Sequence, residues 1–140
     1  MICVDTVTLT YLLLEHPTHS PAVRGILDQD SAWCAPPLWR SELRSTLMQY
    51  VRSQDASIPG STLTLNEAVQ RMAAAEALIQ TFPVDSETVL RRAFDLELTP
   101  YDSEYVVLAE RLDVPLLTYD RAVLRALPKK ALRPQDFDAS

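Results

Sequence analysis

Four acidic residues that are far apart in the chain stand where predicted strands end or predicted helices begin. Asp5 and Asp120 each follow an apolar run typical of a buried strand, and Glu42 and Asp102 lie near the starts of two amphipathic segments. Parallel sheets place their ligand sites outside the carboxyl ends of the strands, and helix starts can face the same edge. We therefore expect these four carboxylates to converge at one edge of the sheet.

Converging carboxylates need a counter-charge. At a separation of roughly 4 Å and an effective dielectric constant near 20, each like-charged pair costs about 4 kcal/mol. Carboxylate oxygens without a nearby histidine or thiolate favour Mg²⁺ or Mn²⁺ as the balancing ion. One or two such ions orient a water molecule for attack on phosphorus and stabilise the leaving oxygen. The pattern therefore predicts metal-dependent nuclease chemistry.

Each acid also has a purely structural interpretation. Asp5 is compatible with a turn, Asp120 with the cap of a helix that starts at Arg121, and Asp102 with a capping arrangement begun by Thr99. Glu42 is compatible with a solvated first-turn acid stabilised by the helix dipole. Taken singly, the acids favour these structural roles. Their joint placement favours a site.

The chain of 140 residues, 47% hydrophobic and 23% charged, is expected to form a single domain over residues 1–140. Gly25 and Gly60 are too far apart for a glycine-rich phosphate loop. Cys3 and Cys34 lie in apolar runs, which predicts buried thiols and favours a reducing, cytoplasmic location. No apolar run approaches the roughly 18 residues of a membrane span, and the early acid argues against a signal peptide.

Thirteen basic and nineteen acidic residues give a net charge of −6, which opposes nucleic-acid binding unless the field is reversed locally. Arginines are the usual phosphate contacts, although a solvated helix face is an equally good interpretation of them. The candidates for guiding an RNA backbone are Arg40, Arg44 and Arg121, with Arg52, Arg91 and Arg92 as further members.

Two other aromatic motifs have structural interpretations. His16 and His19 form an HxxH pair, but they lie on a proline-rich loop without a third ligand, which disfavours metal binding. Trp33 and Trp39 flank two prolines and are interpreted as packing residues, although an exposed tryptophan there would be able to stack on a base.

Periodicity predicts alternating strands and helices. Strands are predicted at residues 1–4, 32–35, 82–84, 114–119 and 131–133, the last as an edge strand. In the first half of the chain, helices are predicted near residues 9–13, at 22–30 and from Arg40 to the break at 58–61. Three further helices are predicted from their start signals: one after the Thr64-x-x-Glu67 capping box, one at 86–96 with a Ser86 cap, and one after Thr99 with Pro100 at N1. A last short helix is predicted at 123–127. This alternation favours a three-layer α/β/α sandwich around a central, mainly parallel sheet.

Short sequence segments around the four acids resemble those of the PIN-domain ribonucleases, in particular their VapC-type toxin branch. They are residues 2–6 (ICVDT), 41–43 (SEL), 99–105 (TPYDSEY) with 108–112 (LAERL), and 115–121 (PLLTYDR). The resemblance implies a parallel sheet between helices, with Mg²⁺ or Mn²⁺ held by Asp5, Glu42, Asp102 and Asp120. It also implies supporting roles for Thr6 and Thr118.

The same resemblance implies an RNA substrate, a small antitoxin that inserts a peptide into the acidic groove, and homodimers. Val7 departs from the polar residue that many relatives carry, and Val123 and Leu124 replace an acid found in some. Support for the metal is then expected to be thinner. The alternative is a catalytically weak or inactive PIN-like module that binds RNA or protein, which a metal titration would distinguish. An RNase H-like nuclease is disfavoured by the early helix, and a receiver domain by the absence of an acidic neighbour to Asp5.

Overall fold

The computed structural model describes residues 1–53 and 63–138. The strands are β1 (Ile2–Val4), β2 (Trp33–Ala35), β3 (Gln80–Thr81), β4 (Leu116–Leu117) and β5 (Ala131–Leu132). The helices are α1 (Thr6–Leu13), α2 (His19–Gln29), α3 (Leu38–Arg52), α4 (Leu65–Leu78), α5 (Ser86–Leu96), α6 (Pro100–Leu112) and α7 (Arg121–Ala126), with a 3₁₀ turn at Pro134–Asp136. The predicted break at 58–61, including Gly60, lies outside the described residues.

The five strands form one parallel sheet in the order β3-β2-β1-β4-β5, so β1 is central and the predicted edge position of β5 is confirmed. Cys3 pairs with Cys34 of β2 on one side and with Leu116 of β4 on the other. Helix α6 contacts β1, β4 and α5, whereas α1, α3 and α4 contact one another. The expected three-layer α/β/α sandwich is confirmed. Because β1 and β4 are neighbours, whatever follows them in the chain is brought together.

The core is built on the sheet and on the buried stripe of each helix. All residues of β1 and β2 are buried, as are Trp33 and Trp39, which confirms their interpretation as packing residues. The Trp39 indole donates to the Thr81 hydroxyl at 2.9 Å, so this large ring is packed without an unsatisfied donor. Cys3 and Cys34 are free and buried, as predicted.

Three predicted boundaries are wrong. Helix α2 begins at His19 rather than at residue 22, because Pro21 falls in its first turn, where proline is tolerated. Helix α5 is capped by Asp85, whose side chain accepts from the Thr88 amide, and not by Ser86. Strand β3 lies at 80–81 rather than at 82–84, and Pro83 has no N–H with which to continue the ladder.

Two predicted helix starts are confirmed, whereas the predicted bounds of β4 are wrong at both ends. The Thr64–Glu67 capping box is formed in both directions, and Thr99 caps α6 with Pro100 at N1. The strand predicted at 114–119 is shorter, at Leu116–Leu117, which leaves Thr118 and Asp120 beyond its carboxyl end. Within the described ranges, no helix combines the length and apolarity needed to cross a bilayer.

Truncating Leu43 tests whether α3, the helix that carries Glu42, depends on this core. Leu43 is fully buried, so Leu43→Ala should lower the free energy of unfolding by about 2–5 kcal/mol. Leu90→Ala, on the exposed face of α5, should change it by less than about 0.5 kcal/mol. Urea unfolding followed by circular dichroism measures both, and equal effects would contradict the assigned core.

Candidate active site

The pairing of β1 with β4 brings Asp5 and Asp120 to one edge of the sheet. The Asp5 amide donates to the Leu117 carbonyl at 3.2 Å, which continues the ladder by one residue. Thr118 then joins the two acids: its hydroxyl donates to Asp5 Oδ2 at 2.6 Å and accepts from the Asp120 amide at 3.0 Å. The structure thus places Thr118 where the predicted supporting hydroxyl should be.

Both acids also cap helices, which confirms the structural interpretation of Asp120 and gives Asp5 a capping role in place of the expected turn. Asp5 Oδ1 accepts from the Thr8 amide at 2.9 Å at the start of α1, and Asp120 Oδ1 accepts from the Val123 amide at 3.0 Å at the start of α7. A carboxylate offers about four acceptor sites, so a capping bond leaves others available. The caps fix the direction of each carboxylate.

Asp5 is held in an environment that opposes its charge. Burial raises the pKa of the Asp5 carboxyl above its ordinary value, whereas hydrogen bonds from Thr118 and Thr8 lower it. Repulsion by Glu42 adds to the upward shift. Glu42 therefore lies close enough to Asp5 to interact with it electrostatically.

Glu42 reaches the site from α3 and is held there by two hydroxyl groups. Its Oε1 accepts from Thr6 at 3.0 Å and from Tyr105 at 2.5 Å, and these two hydroxyls are 2.9 Å apart. Thr6 and Tyr105 are both buried. Burial, followed by the contact with Glu42, raises the pKa of Tyr105, so the phenol keeps its proton and donates it. Within the described residues Glu42 Oε2 accepts no hydrogen bond and stays available.

Asp102 and Glu104 approach from the start of α6. Burial raises the pKa of Asp102, and repulsion by Asp120 and Glu42 raises it further, while a hydrogen bond with Thr99 lowers it. The Asp102 amide donates to the Thr99 hydroxyl at 3.1 Å, so the predicted capping role is also observed. Burial and the charge of Glu42 raise the pKa of Glu104 as well. Glu42 thus interacts electrostatically with Asp5, Asp102 and Glu104, and Asp102 also interacts with Asp120.

Within the described ranges, none of these five carboxylates takes part in an ion pair. The acids that do pair with cations there include Glu76, Glu87 and Glu110, which meet Arg40, Arg91 and Arg92. The site acids instead accept hydrogen bonds from neutral hydroxyls and backbone amides, which orient the charge without cancelling it. The cluster therefore carries an uncompensated negative charge.

The donor set fits a hard divalent cation. Among the described residues, no group of three or more His, Cys, Asp or Glu side chains is already gathered tightly enough to hold a metal ion. Mg²⁺ does not require such a cage, because it is usually held by one or two carboxylates and keeps several waters. Carboxylates that repel one another, and that pair with no cation among the described residues, match that requirement.

The predicted RNA-guiding arginines differ in availability. Arg40 pairs with Glu76 at 3.0 Å and lies over the Trp39 ring at 5.2 Å. Arg44 is exposed and donates to the Arg40 carbonyl and the Ser41 hydroxyl. Arg121 is exposed directly beside Asp120. Their role in guiding RNA stays a prediction.

The HxxH pair is part of an aromatic cluster. The rings of His16 and His19 stack at 4.5 Å, and both pack on Tyr11, which also meets Tyr119 edge to face at 5.2 Å. His16 Nδ1 accepts from the amides of Thr18 and His19, so this nitrogen caps the start of α2.

Sequence reasoning missed two contributors to the site. They are Tyr105 and Glu104, to which the sequence pattern assigns no role in the site. Tyr105 lies three residues after Asp102, which places both on one face of a helix, and that spacing could have revealed it. Of the departures from the family pattern, Val123 is buried and Val7 is nearly half exposed, at 48%.

Replacing Asp102 by Asn should stabilise the metal-free chain. Because the folded-state pKa of Asp102 is raised, its carboxylate form opposes folding above the ordinary pKa of about 4, and this penalty vanishes as the pH falls below that value. Asp102→Asn should therefore raise Tm at pH 7–8 and leave it unchanged near pH 3. Asp95→Asn, on the exposed face of α5, is the matched control and should change little. A lower Tm for Asp102→Asn at neutral pH would contradict the repulsion.

Removing the Thr118 hydroxyl should disturb Asp5 specifically. Thr118→Val loses a hydrogen bond that lowers the pKa of Asp5, so that pKa should rise further, whereas Thr118→Ser should keep it near the native value. Carbon-13 NMR of the side-chain carboxyls across a pH titration measures both variants. An Asp5 pKa that is the same in the Val and Ser variants would show that the hydroxyl does not tune the acid.

Comparison with known proteins identifies the fold. Three solved structures align with nearly the whole chain. Their sequence identities to this chain are low, so the likeness shows the fold alone. PAE2754 from Pyrobaculum aerophilum has a TM-score of 0.72 at 20% identity, over 96% of this chain and 89% of that one. A toxin-antitoxin complex from Klebsiella pneumoniae aligns with a TM-score of 0.69 at 12% identity, over 98% of this chain and 100% of that one. FitAcB from Neisseria gonorrhoeae aligns with a TM-score of 0.63 at 15% identity, over 98% of this chain and 100% of that one.

The curated proteins gave no match. The model of one family, described as the PIN domain, matches residues 2–130. This span contains all four predicted acids and every element from β1 to α7. The match agrees with the resemblance carried by the short sequence segments around the acids. The chain belongs to the PIN domain family.

Proposed function

We propose that this protein is a Mg²⁺- or Mn²⁺-dependent endoribonuclease and the toxin of a type II toxin-antitoxin pair of the VapC type. The observation that carries the proposal is the junction at the end of β1 and β4, where Thr118 links Asp5 to Asp120. Glu42 interacts electrostatically with Asp5, and Asp102 with Asp120, and none of these acids forms an ion pair within residues 1–53 and 63–138. Family membership supports nuclease chemistry, and the toxin-antitoxin structures of the same fold support the biological class.

In the proposed mechanism, Asp5, Asp102 and Asp120 hold the ion, and Glu42 holds a second ion or positions the attacking water. When bound, such an ion would supply positive charge for the approaching phosphodiester and would lower the pKa of a water molecule. Thr118 favours the ionised form of Asp5, and Thr6 with Tyr105 fixes Glu42 through one oxygen, which leaves the other for the site. The hydroxyls therefore act as positioning residues, and the carboxylates are the groups that touch ion and substrate.

The remaining parts of the proposal concern partners. The acidic groove would take a basic peptide of a small antitoxin in place of RNA, and the active form would be a homodimer in the cytoplasm. Charge complementarity supports the first point, because the cluster has no cation of its own. The two buried free cysteines are compatible with a reducing compartment.

A non-catalytic binding module is the second candidate. It is favoured by the lack of a tightly gathered group of three ligands among the described residues, and by the exposed Val7 beside Thr6. Such a module would bind RNA or protein without needing a divalent ion. Calorimetric titration of Mn²⁺ distinguishes the two, because the enzyme must take up the ion through its carboxylates and the module need not.

Asp5→Asn should abolish cleavage while leaving the fold intact. Asparagine caps helices about as well as aspartate, so α1 should form, but one negative ligand is lost and activity should fall on the order of 100-fold or more. The measurement is cleavage of single-stranded RNA with Mg²⁺, with Mn²⁺ and with a chelator. Asp95→Asn serves as the control and should cleave normally.

Unchanged cleavage by Asp5→Asn, or undiminished cleavage in the presence of the chelator, would remove the proposed mechanism. Circular dichroism of both variants guards against loss of folding as the explanation.

A further inference from the structure

One exposed aromatic residue stands at the mouth of the acidic cluster and has no role so far. Tyr101 is the second residue of α6, directly before Asp102, and its side chain is 64% exposed. Large apolar rings on a surface are normal when scattered singly. Tyr101 differs because it borders two cavities, each of which also contains a carboxylate of the site.

The first cavity lies between Tyr101 and the start of α3. Its volume is about 390 Å³, and it is lined by Leu38, Ser41, Glu42, Ser45, Thr46 and Tyr101. Glu42 thus forms part of its wall, so the cavity is continuous with the acidic cluster. The other walls are one aromatic ring, one aliphatic side chain and three hydroxyl groups.

The second cavity lies on the α5 side of Tyr101, has a volume of about 320 Å³, and includes Glu104. Its remaining walls are mostly apolar, among them Val89, Leu90 and Pro100. Both volumes are within the range of about 300–1,000 Å³ that is typical of small-ligand sites. Tyr101 is therefore a shared wall between two spaces that flank the acids.

We propose that Tyr101 is a base-stacking residue, and that the cavity next to α3 holds the base of a nucleotide adjacent to the scissile phosphate of single-stranded RNA. This inference rests on the proposed function and assigns it a substrate subsite. With the phosphate at the carboxylates, the cavity that Glu42 borders offers space for the attached nucleotide. The ring of Tyr101 offers a stacking face there, and every base has a matching face.

The hydroxyl groups fit the polar parts of the same nucleotide. Ser41, Ser45 and Thr46 line the α3 side of the cavity, and each hydroxyl both donates and accepts hydrogen bonds. They match base edges or the ribose 2′-hydroxyl, while Leu38 supplies apolar contact. Among the described residues that line this cavity, Glu42 is the one carboxylate, so a neutral base is repelled far less there than a phosphate would be.

Stacking also answers the charge problem. A chain with net charge −6 attracts RNA weakly through its overall field, so uncharged contacts have to contribute more of the binding. Stacking of one base on an aromatic side chain typically contributes roughly 5- to 100-fold in affinity. Tyr101 lies beside the acids and exposes its ring, so it is able to supply such a contact.

The test compares Tyr101→Ala, Tyr101→Phe and Phe94→Ala by fluorescence anisotropy of a labelled single-stranded RNA in Ca²⁺, and by KM and kcat in Mg²⁺. Phe94 is 85% exposed on α5 and is the matched control for loss of a surface ring. Tyr101→Ala should raise Kd and KM at least about 5-fold with kcat changed less than 2-fold, while the Phe variant and Phe94→Ala stay near native. An oligomer of the same length that lacks bases should bind the native protein and Tyr101→Ala equally.

Equal Kd for native protein and Tyr101→Ala would overturn the stacking role, as would failure of the native protein to bind single-stranded RNA. A change of oligomeric state in Tyr101→Ala would show that the ring faces another chain instead, and would also overturn it. Native protein that binds RNA through Tyr101 but never cleaves it would refute the proposed nuclease function and retain the base subsite. Tm of each variant confirms folding.

Discussion

The constraint on which this structure depends is the repulsion between carboxylates that the fold forces together without a cation of their own. A folded chain normally relieves such repulsion with arginine or lysine, and this one does so elsewhere, at Glu76, Glu87 and Glu110. At the sheet edge it uses neutral hydroxyls and amides instead. These groups fix the positions of the carboxylates without cancelling their charge, and burial together with repulsion between the carboxylates raises the pKa values of Asp5 and Asp102.

The fold accounts for why these acids meet. Neighbouring parallel strands must end at the same edge, so the residues after β1 and β4 are adjacent although more than a hundred positions separate them. Because these residues are adjacent, the single hydroxyl group of Thr118 contacts both the Asp5 side chain and the Asp120 backbone amide. Helix starts bring the other two acids, because a helix that follows a strand in this architecture begins near the same edge.

Much of this could be predicted from the sequence, for reasons that are local. Apolar runs followed by Asp fix the strand ends, and the Thr99-Pro100 start of α6 is set by capping chemistry, so the architecture and the approach of the four acids follow. What could not be predicted are contacts set by packing between helices. The phenol of Tyr105 reaches Glu42 across 63 positions, and Glu104 of α6 interacts electrostatically with Glu42 of α3. Asp85 and Ser86 are neighbouring candidates for the N-cap of α5, and hydrophobic periodicity does not locate a helix start to within one residue.

The most direct measurement is the thermal unfolding midpoint of the chain as Mn²⁺ or Mg²⁺ is added at constant ionic strength and neutral pH. If divalent ions balance the carboxylates of the folded state, Tm must rise with the concentration of the ion, because a ligand that binds only the folded chain stabilises it. An equivalent ionic strength of KCl should not reproduce the rise. A Tm that responds equally to KCl and to the divalent salts would contradict the account.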